Sequence, residues 1–167
     1  MPASVTPVTA LLRREGVAHE LREYRPPDRH GRAREERPDY GLEAAAALGV
    51  EPVRVFKTLI AVVDGRLVAA VLPVDRQLDL KALAAAAGGR HAELAQPADA
   101  ERVSGSVVGG ISPIAPRRPL PVVIDRAVEA HPTVLVSAGR RGLQVELAPG
   151  DLMRVTGATT APIVRPG

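Results

Sequence analysis

The chain has no cysteine and no tryptophan, and it carries only one phenylalanine and two tyrosines among 167 residues. Without cysteine there is no disulfide, no thiolate metal site and no cysteine nucleophile. With aromatics at 2%, the core has to be built from valine, leucine, isoleucine and alanine. No apolar run is long enough to span a bilayer. The opening segment "MPASVTPVTALL" lacks both a basic start and a long apolar stretch, so no signal peptide is expected and the expected compartment is the cytoplasm. Lysine is scarce too: of 22 basic side chains only Lys57 and Lys81 are lysines, and the rest are arginines.

What is present describes an ordinary globular chain. Apolar residues make up 46% and charged residues 25%, a profile that suits one domain over 1–167 with a real core. The net charge of +3 permits an RNA partner without demanding one. "TPVTALLRREG" reads as a first helix, with Thr6 as cap, Pro7 in the first turn and Gly16 at the end. "AHELREY" reads as a strand, and "YGLEAAAALG" as an Ala-rich helix. Between them 25–39, "RPPDRHGRAREERPD", reads as a charged and mobile loop. "FKTLIAVVDGRLVAAVLPV" is the clearest signal: two apolar runs around Asp64-Gly65, the preferred pair of a two-residue hairpin turn. Neither run alternates with polar residues, so both faces are expected to be buried. Helices follow at "LDLKALAAAAGG" and "PADAERVSG". Then come a strand, a glycine turn, a proline-rich loop and a strand in "SVVGGISPIAPRRPLPVVID". A strand pair around Gly-Arg-Arg-Gly and a last helix in "PGDLMRVTG" end the chain. Strands outnumber helices and mostly follow one another directly. The expected class is α+β with a mixed or antiparallel sheet, curled toward a barrel.

Several groups could carry chemistry. Lys57 opens a hairpin strand. It is either a strand-end lysine laying its stem on apolar surface, or a compact cation beside a narrow site, where arginine does not substitute for lysine. Lys81, in the first turn of a helix, reads as solvated. "GGISP", 109–113, lets the backbone turn sharply, approach a ligand and offer N–H groups to a carbonyl oxygen or phosphate; it serves equally as a plain turn. "SAGRRG", 137–142, could grip phosphate or simply turn a hairpin, and Arg117-Arg118 adds another basic pair. His19, His30, His91 and His131 are scattered with no ligand spacing, so no metal site is expected. Glu35, Glu36 and Asp39 read as solvating charge, and Tyr24 and Tyr40 as pocket lining or packing. There is no dinucleotide fingerprint and no serine elbow.

Taken in order, "FKTL", "PVDRQLDLKALA", "VSGSVVGGISP", "LPVVID", "VSAGRRGLQVELAP" and "DLMRVTGA" resemble the YbaK family of free-standing aminoacyl-tRNA deacylases. That family is related to the editing domain of bacterial prolyl-tRNA synthetase, and within it the Cys-tRNA(Pro) deacylase branch is the most similar. The resemblance covers about 5–163. It implies a compact α+β fold around a mixed, barrel-like sheet with surrounding helices. The implied activity is removal of a wrongly attached amino acid from the acceptor end of tRNA(Pro), with no metal and no cofactor. Catalytic roles would fall on Lys57, Gly109 and Gly110. Substrate-binding roles would fall on Tyr24, Tyr40, Thr58, Ile111, Ser112, Pro113, Ser137, Gly139 and Arg140. Ser106 stands where the family pattern has tyrosine, and Ala138 where it has glycine. With no protein nucleophile, either water or the substrate's own thiol attacks the ester. The protein would act alone or docked to prolyl-tRNA synthetase. The alternatives are a module that binds a tRNA end or nucleotide without turnover, or a deacylase for another small residue such as alanine on tRNA(Pro).

Overall fold

The computed structural model describes residues 5–26 and 39–167. The element order is α1 (Pro7–Arg14), β1 (His19–Glu23), α2 (Tyr40–Leu48), β2 (Phe56–Val63), β3 (Arg66–Pro73), α3 (Leu80–Ala86), β4 (Ala92–Leu94), α4 (Pro97–Ser104), β5 (Val122–Asp125), β6 (Val134–Arg140), β7 (Leu143–Leu147), α5 (Pro149–Thr156) and β8 (Thr159–Ala161). No helix among the described residues is long and apolar enough to cross a membrane. Most of the charged stretch read as a mobile loop, 27–38, lies outside the described residues.

Local signals fix the helix starts. Thr6 closes a reciprocal box with Thr9, its Oγ1 accepting the Thr9 N–H at 3.2 Å and its N–H donating to Thr9 Oγ1 at 2.9 Å. The same hydroxyl donates to the Ala138 carbonyl at 2.6 Å, so the cap also docks α1 on β6. Asp39 and Asp79 cap α2 and α3 by accepting the N–H of the third residue on, each at 3.0 Å. The β2–β3 hairpin turns through Asp64 and Gly65 with φ of 47° and 83°, both positive as this tight turn requires.

The strands form two sheets. One is antiparallel, ordered β1-β7-β6; the other is mixed, ordered β4-β2-β3-β5-β8, with β3–β5 and β5–β8 parallel. They meet where Val55, just ahead of β2, bridges in parallel to Leu135 of β6. The class is α+β, with the two sheets joined through this bridge. β3 explains why its sequence does not alternate. Ala69 and Val71 face the main core cluster, while Val68, Ala70 and Leu72 face a second cluster under α3. A strand covered on both faces has no polar side to show.

Two expectations need correction. The strand foreseen ahead of the double glycine does not form: 106–110 runs as bend and turn. Gly110 N–H closes a turn on the Val107 carbonyl at 2.8 Å, with Gly109 at φ 91°. Val107 and Val108 are turn residues, not strand residues. The short strands β4 and β8 were not foreseen; three residues are too few to show a period.

The junction of the sheets is tied by one carboxylate. Glu146 on β7 accepts from Arg22 on β1 at 2.7 Å, from Arg54 at 2.9 Å and from Thr133 Oγ1 at 2.6 Å. The Thr133 hydroxyl, led first in effect, and the two arginines hold the Glu146 carboxyl below the ordinary glutamate range. A carboxylate with a depressed folded-state pKa contributes stability that is present above the unfolded value and lost as pH falls through the folded one. Glu146→Gln is therefore expected to cost about 1–3 kcal/mol at pH 7, with the gap to the parent closing toward pH 3. Urea unfolding of both proteins at the two pH values measures this; a gap that does not change with pH would refute the assignment.

Candidate active site

Lys57 sits near the start of β2, opposite Leu72 of β3, just beyond the bridge that joins the sheets. Successive strand residues leave on opposite faces. Thr58 goes with Phe56 and Ile60 toward the main core, whereas Lys57 goes with Leu59 and Ala61. The Lys57 side chain is half-buried, and burial pushes its amine below the ordinary lysine pKa. Asp39 and Asp75 oppose that shift by attraction, without cancelling it. Asp39 is the cap of α2, so the amine lies at the mouth between the start of α2 and the end of β3. Gly41 admits α2 to that position, since a Cβ there would collide with Val74 just past β3.

The residue after Asp39 reaches the glycine turn. The Tyr40 ring stands so close to Gly109 that a Cβ there would lie 2.6 Å from the ring. Gly110 is pressed against the β6–β7 turn: a Cβ would lie 2.8 Å from the Arg141 backbone nitrogen. Backbone cannot yield as a side chain can, so this position requires glycine. Ser137 Oγ donates to the Gly110 carbonyl at 2.8 Å and accepts the Gly139 N–H at 3.2 Å. Ser106 Oγ donates to the Gly139 carbonyl at 3.0 Å. Behind the turn, Ile111, Ser112 and Pro113 are buried, and Ser112 Oγ accepts the Ile114 N–H at 3.1 Å. The Gly110 N–H is engaged in closing the turn and is not offered to a ligand. The Gly109 N–H has no hydrogen-bond partner among the described residues.

The structure thus brings Tyr40, the 109–113 loop, Ser137 and Gly139 into one cluster; Lys57 stands apart on β2 and feels the charge of Asp39, the cap that precedes Tyr40. Arg140 lies at its rim, its guanidinium 3.7 Å from Glu23. Tyr24 follows β1 at the same rim, its N–H donating to the Gly142 carbonyl at 2.9 Å. Thr58 is set into the core face, and its hydroxyl has no partner.

Three residues here were not singled out from the sequence. Arg141 donates Nε–H and Nη2–H to the Val108 carbonyl at 2.8 and 2.5 Å, and its guanidinium lies 4.4 Å from the centre of the Tyr40 ring. Glu101 on α4 accepts the Val108 N–H at 2.8 Å. Gln144 on β7 is buried beside its register partner Ser137, and its Oε1 has no partner. An unpaired buried acceptor costs about 1–3 kcal/mol. A sequence signal existed only for Arg141, as one half of an arginine pair whose other half drew the assignment. Among the described residues no group of three or more His, Cys, Asp or Glu is placed to hold a metal ion.

A desolvated ammonium, an unpartnered N–H on a glycine turn and orphaned side-chain oxygens define a class of site that handles an oxygen-rich ligand with a carbonyl to polarise. Comparison with known proteins is specific. Residues 38–155 match the aminoacyl-tRNA editing domain, and the chain belongs to that family. It is 38% identical over 120 residues to the Enterococcus faecalis protein EbsC, which carries the provisional name Cys-tRNA(Pro)/Cys-tRNA(Cys) deacylase; this covers 71% of the chain and 73% of EbsC. It is 35% identical over 89 residues to the Escherichia coli K12 multifunctional Ser/Thr-tRNA deacylase ProXp-y, spanning 53% of each. A solved structure described as a candidate trans-editing enzyme for prolyl-tRNA synthetase superimposes with TM-score 0.81 at 23% identity, over 99% of each chain, and shows the shared fold.

The buried amine makes a stability prediction. With its folded-state pKa lowered, the ammonium opposes folding at every pH below that value, and the penalty fades as pH rises toward the ordinary lysine pKa of about 10.4. Lys57→Met is expected to be more stable than the parent at pH 7, with the difference shrinking above pH 10. Chemical denaturation at both pH values tests this; a Met variant less stable at pH 7 would show that the amine is not desolvated.

Proposed function

We propose that this chain, as a single domain, removes mis-attached cysteine from Cys-tRNA(Pro) in trans, and that the site assembled around Lys57 and the glycine turn performs the reaction. The observation that carries the reading is the pairing of a half-buried Lys57 with a clamped turn whose Gly109 N–H is unpartnered. The name borne by EbsC supports cysteine as the residue removed.

The substrate is an ester between the cysteinyl carbonyl and a ribose hydroxyl of the terminal adenosine. Attack on that carbonyl places negative charge on its oxygen. The Gly109 N–H donates to this oxygen, and one such donor is worth on the order of 10²–10³ in rate. Lys57 holds phosphate or ribose oxygens of the terminal nucleotide and adds positive potential. Thr58 is the second substrate-binding position by family resemblance; its hydroxyl is buried on the core face of β2 and reaches a ligand only by turning out of it. Tyr24, Tyr40, Ile111, Ser112 and Pro113 shape the pocket, and Ser137, Gly139 and Arg140 border it. Gly110 lets the loop lie against the β6–β7 turn. No side chain need act as nucleophile. The substrate thiol forms the S–C bond to its own carbonyl, the ester C–O bond breaks, and the thiol proton ends on the ribose oxygen. The products are a cyclic thiolactone and free tRNA. The reaction is intramolecular from the start, and a site that holds the cysteine side chain in the conformer that brings thiol and carbonyl into contact raises their effective concentration. The reading asks for no cofactor. It places the protein in the cytoplasm, on the acceptor end of tRNA(Pro), with prolyl-tRNA synthetase as the partner that produces the mischarged substrate.

A deacylation assay over tRNA(Pro) charged with cysteine, alanine or serine tests the reading. Cysteine is expected to leave fastest, and Lys57→Ala and Lys57→Arg to lose on the order of 10²-fold or more while staying folded. Full activity in Lys57→Ala would sink it. The serine arm matters because of the likeness to ProXp-y. The route is tested separately with tRNA(Pro) bearing 2-aminobutyrate, which has the size of cysteine without its thiol. Cyclisation leaves this ester intact; release at the cysteine rate would establish attack by water.

A further inference from the structure

We propose that Arg141 is a positioning residue for the deacylation step: it locks the Val108–Gly109 peptide in the orientation that presents the Gly109 N–H. The inference rests on the deacylase reading above and adds to it a residue that touches no substrate.

The geometry is that of one peptide plane. The Val108 carbonyl and the Gly109 N–H belong to the same peptide unit, which is planar, and no cis peptide bond occurs among the described residues. In a trans peptide the C=O and N–H point in opposite directions. A group that grips the carbonyl therefore aims the N–H away from itself. Arg141 grips it with two donors, at 2.8 and 2.5 Å. This peptide is also the central one of the turn that Gly110 closes on Val107. The two commonest turn types differ by a flip of that central peptide, and the Gly109 φ of 91° belongs to the form that needs glycine. Without a grip on the carbonyl, the alternative form is open to the chain, and it points the N–H the other way.

Other contacts hold the flanks and leave this peptide to Arg141. Glu101 fixes the Val108 N–H at 2.8 Å, and Ser137 fixes the Gly110 carbonyl at 2.8 Å. The guanidinium is itself held flat by the Tyr40 ring, 4.4 Å away. Tyr40 in turn fills the space a Gly109 Cβ would need. A cation on the carbonyl also polarises the peptide, which makes its N–H a stronger donor. Arginine suits the task because its planar fork brings two N–H groups to one oxygen while its face stacks on an aromatic ring.

The test compares the full chain with Arg141→Ala and Arg141→Lys in the Cys-tRNA(Pro) assay, together with the amide resonance of Gly109 by NMR. Arg141→Ala is expected to lose kcat on the order of 10²-fold, the scale set by misplacement of one group, with KM little changed and the Gly109 resonance shifted. Arg141→Lys, which keeps a cation within reach of the carbonyl, is expected to recover part of kcat. Added guanidinium ion is expected to raise the rate of Arg141→Ala and not that of Lys57→Ala. Parental kcat in Arg141→Ala, or a loss confined to KM, overturns the proposal, the latter because Arg141 would then only grip RNA. Should Arg141→Ala fail to fold, Arg141→Lys and Arg141→Gln decide the matter by the same split between kcat and KM. If the parent chain releases no amino acid, the deacylase reading fails, and the Gly109 resonance still shows whether Arg141 sets the peptide.

Discussion

The orientation of one peptide group, between Val108 and Gly109, is the constraint on which the site depends. The loop that carries it is fixed from four sides by α4, β6, the β6–β7 turn and α2. Each contributes one contact: Glu101 to the Val108 N–H, Ser137 to the Gly110 carbonyl, Arg141 to the Val108 carbonyl and Tyr40 over Gly109. None of the four is near the turn in sequence terms except Glu101. The fold is therefore needed to make the turn what it is. A five-residue peptide of the same sequence would sample both turn forms and present no fixed donor.

Four unfavourable terms stand out among the described residues. Thr58 and Gln144 bury oxygens without partners. Lys57 keeps an amine in a place that disfavours its charge. Ala115, just beyond the loop, adopts φ of 52°, a left-handed conformation that costs a non-glycine residue roughly 1–2 kcal/mol. Elsewhere the structure is conservative: helices capped by Thr6, Asp39 and Asp79, β3 buried on both faces, and a sheet junction tied through Glu146. Local strain persists only where the surrounding contacts over-determine it. Here those contacts are the doubly covered strands on one side and the clamp on the turn on the other.

How much of this was legible in the sequence follows the range of the interactions. The Asp64-Gly65 hairpin and the Thr6 cap are encoded within a few residues, and each was read at its correct place; Asp39, read as solvating charge, caps α2 instead, and the Asp79 cap of α3 was not singled out. The valine pair ahead of the double glycine misled, because two apolar residues before a glycine suit a strand end as well as a turn. What decided it was the closure of Gly110 onto Val107, which composition does not show. Lys57 stood out because arginine replaces lysine almost everywhere else, and the family resemblance gave that exception a meaning. Tyr40 gained its place from the resemblance alone, since an aromatic at a helix start packs in many ways. Arg141 showed only as half of an arginine pair, and Gln144 not at all, for a different reason. The partner of Arg141 lies 33 positions back along the chain, and the burial of Gln144 depends on how two strands and a loop meet.

On the proposed reading, a chain of arginines has a physical reason to keep a lysine at 57. On that reading two cations serve this site, and they need opposite properties. At the turn, the task is to hold a carbonyl with two donors from a flat group stacked on a ring, and only a guanidinium has that shape. At the mouth of β2, the task is to place a compact charge at a half-buried position within the field of Asp39 and Asp75. Burial acts on the two groups differently as well. A guanidinium stays charged wherever it is placed, whereas an ammonium shifts its pKa when water is withdrawn, and the Lys57 amine is shifted. Lys81, the other lysine, is exposed on α3 and subject to neither demand. Exchanging the residue types at 57 and 141 would preserve the net charge and remove both functions, because one position is chosen for geometry and the other for size and solvation.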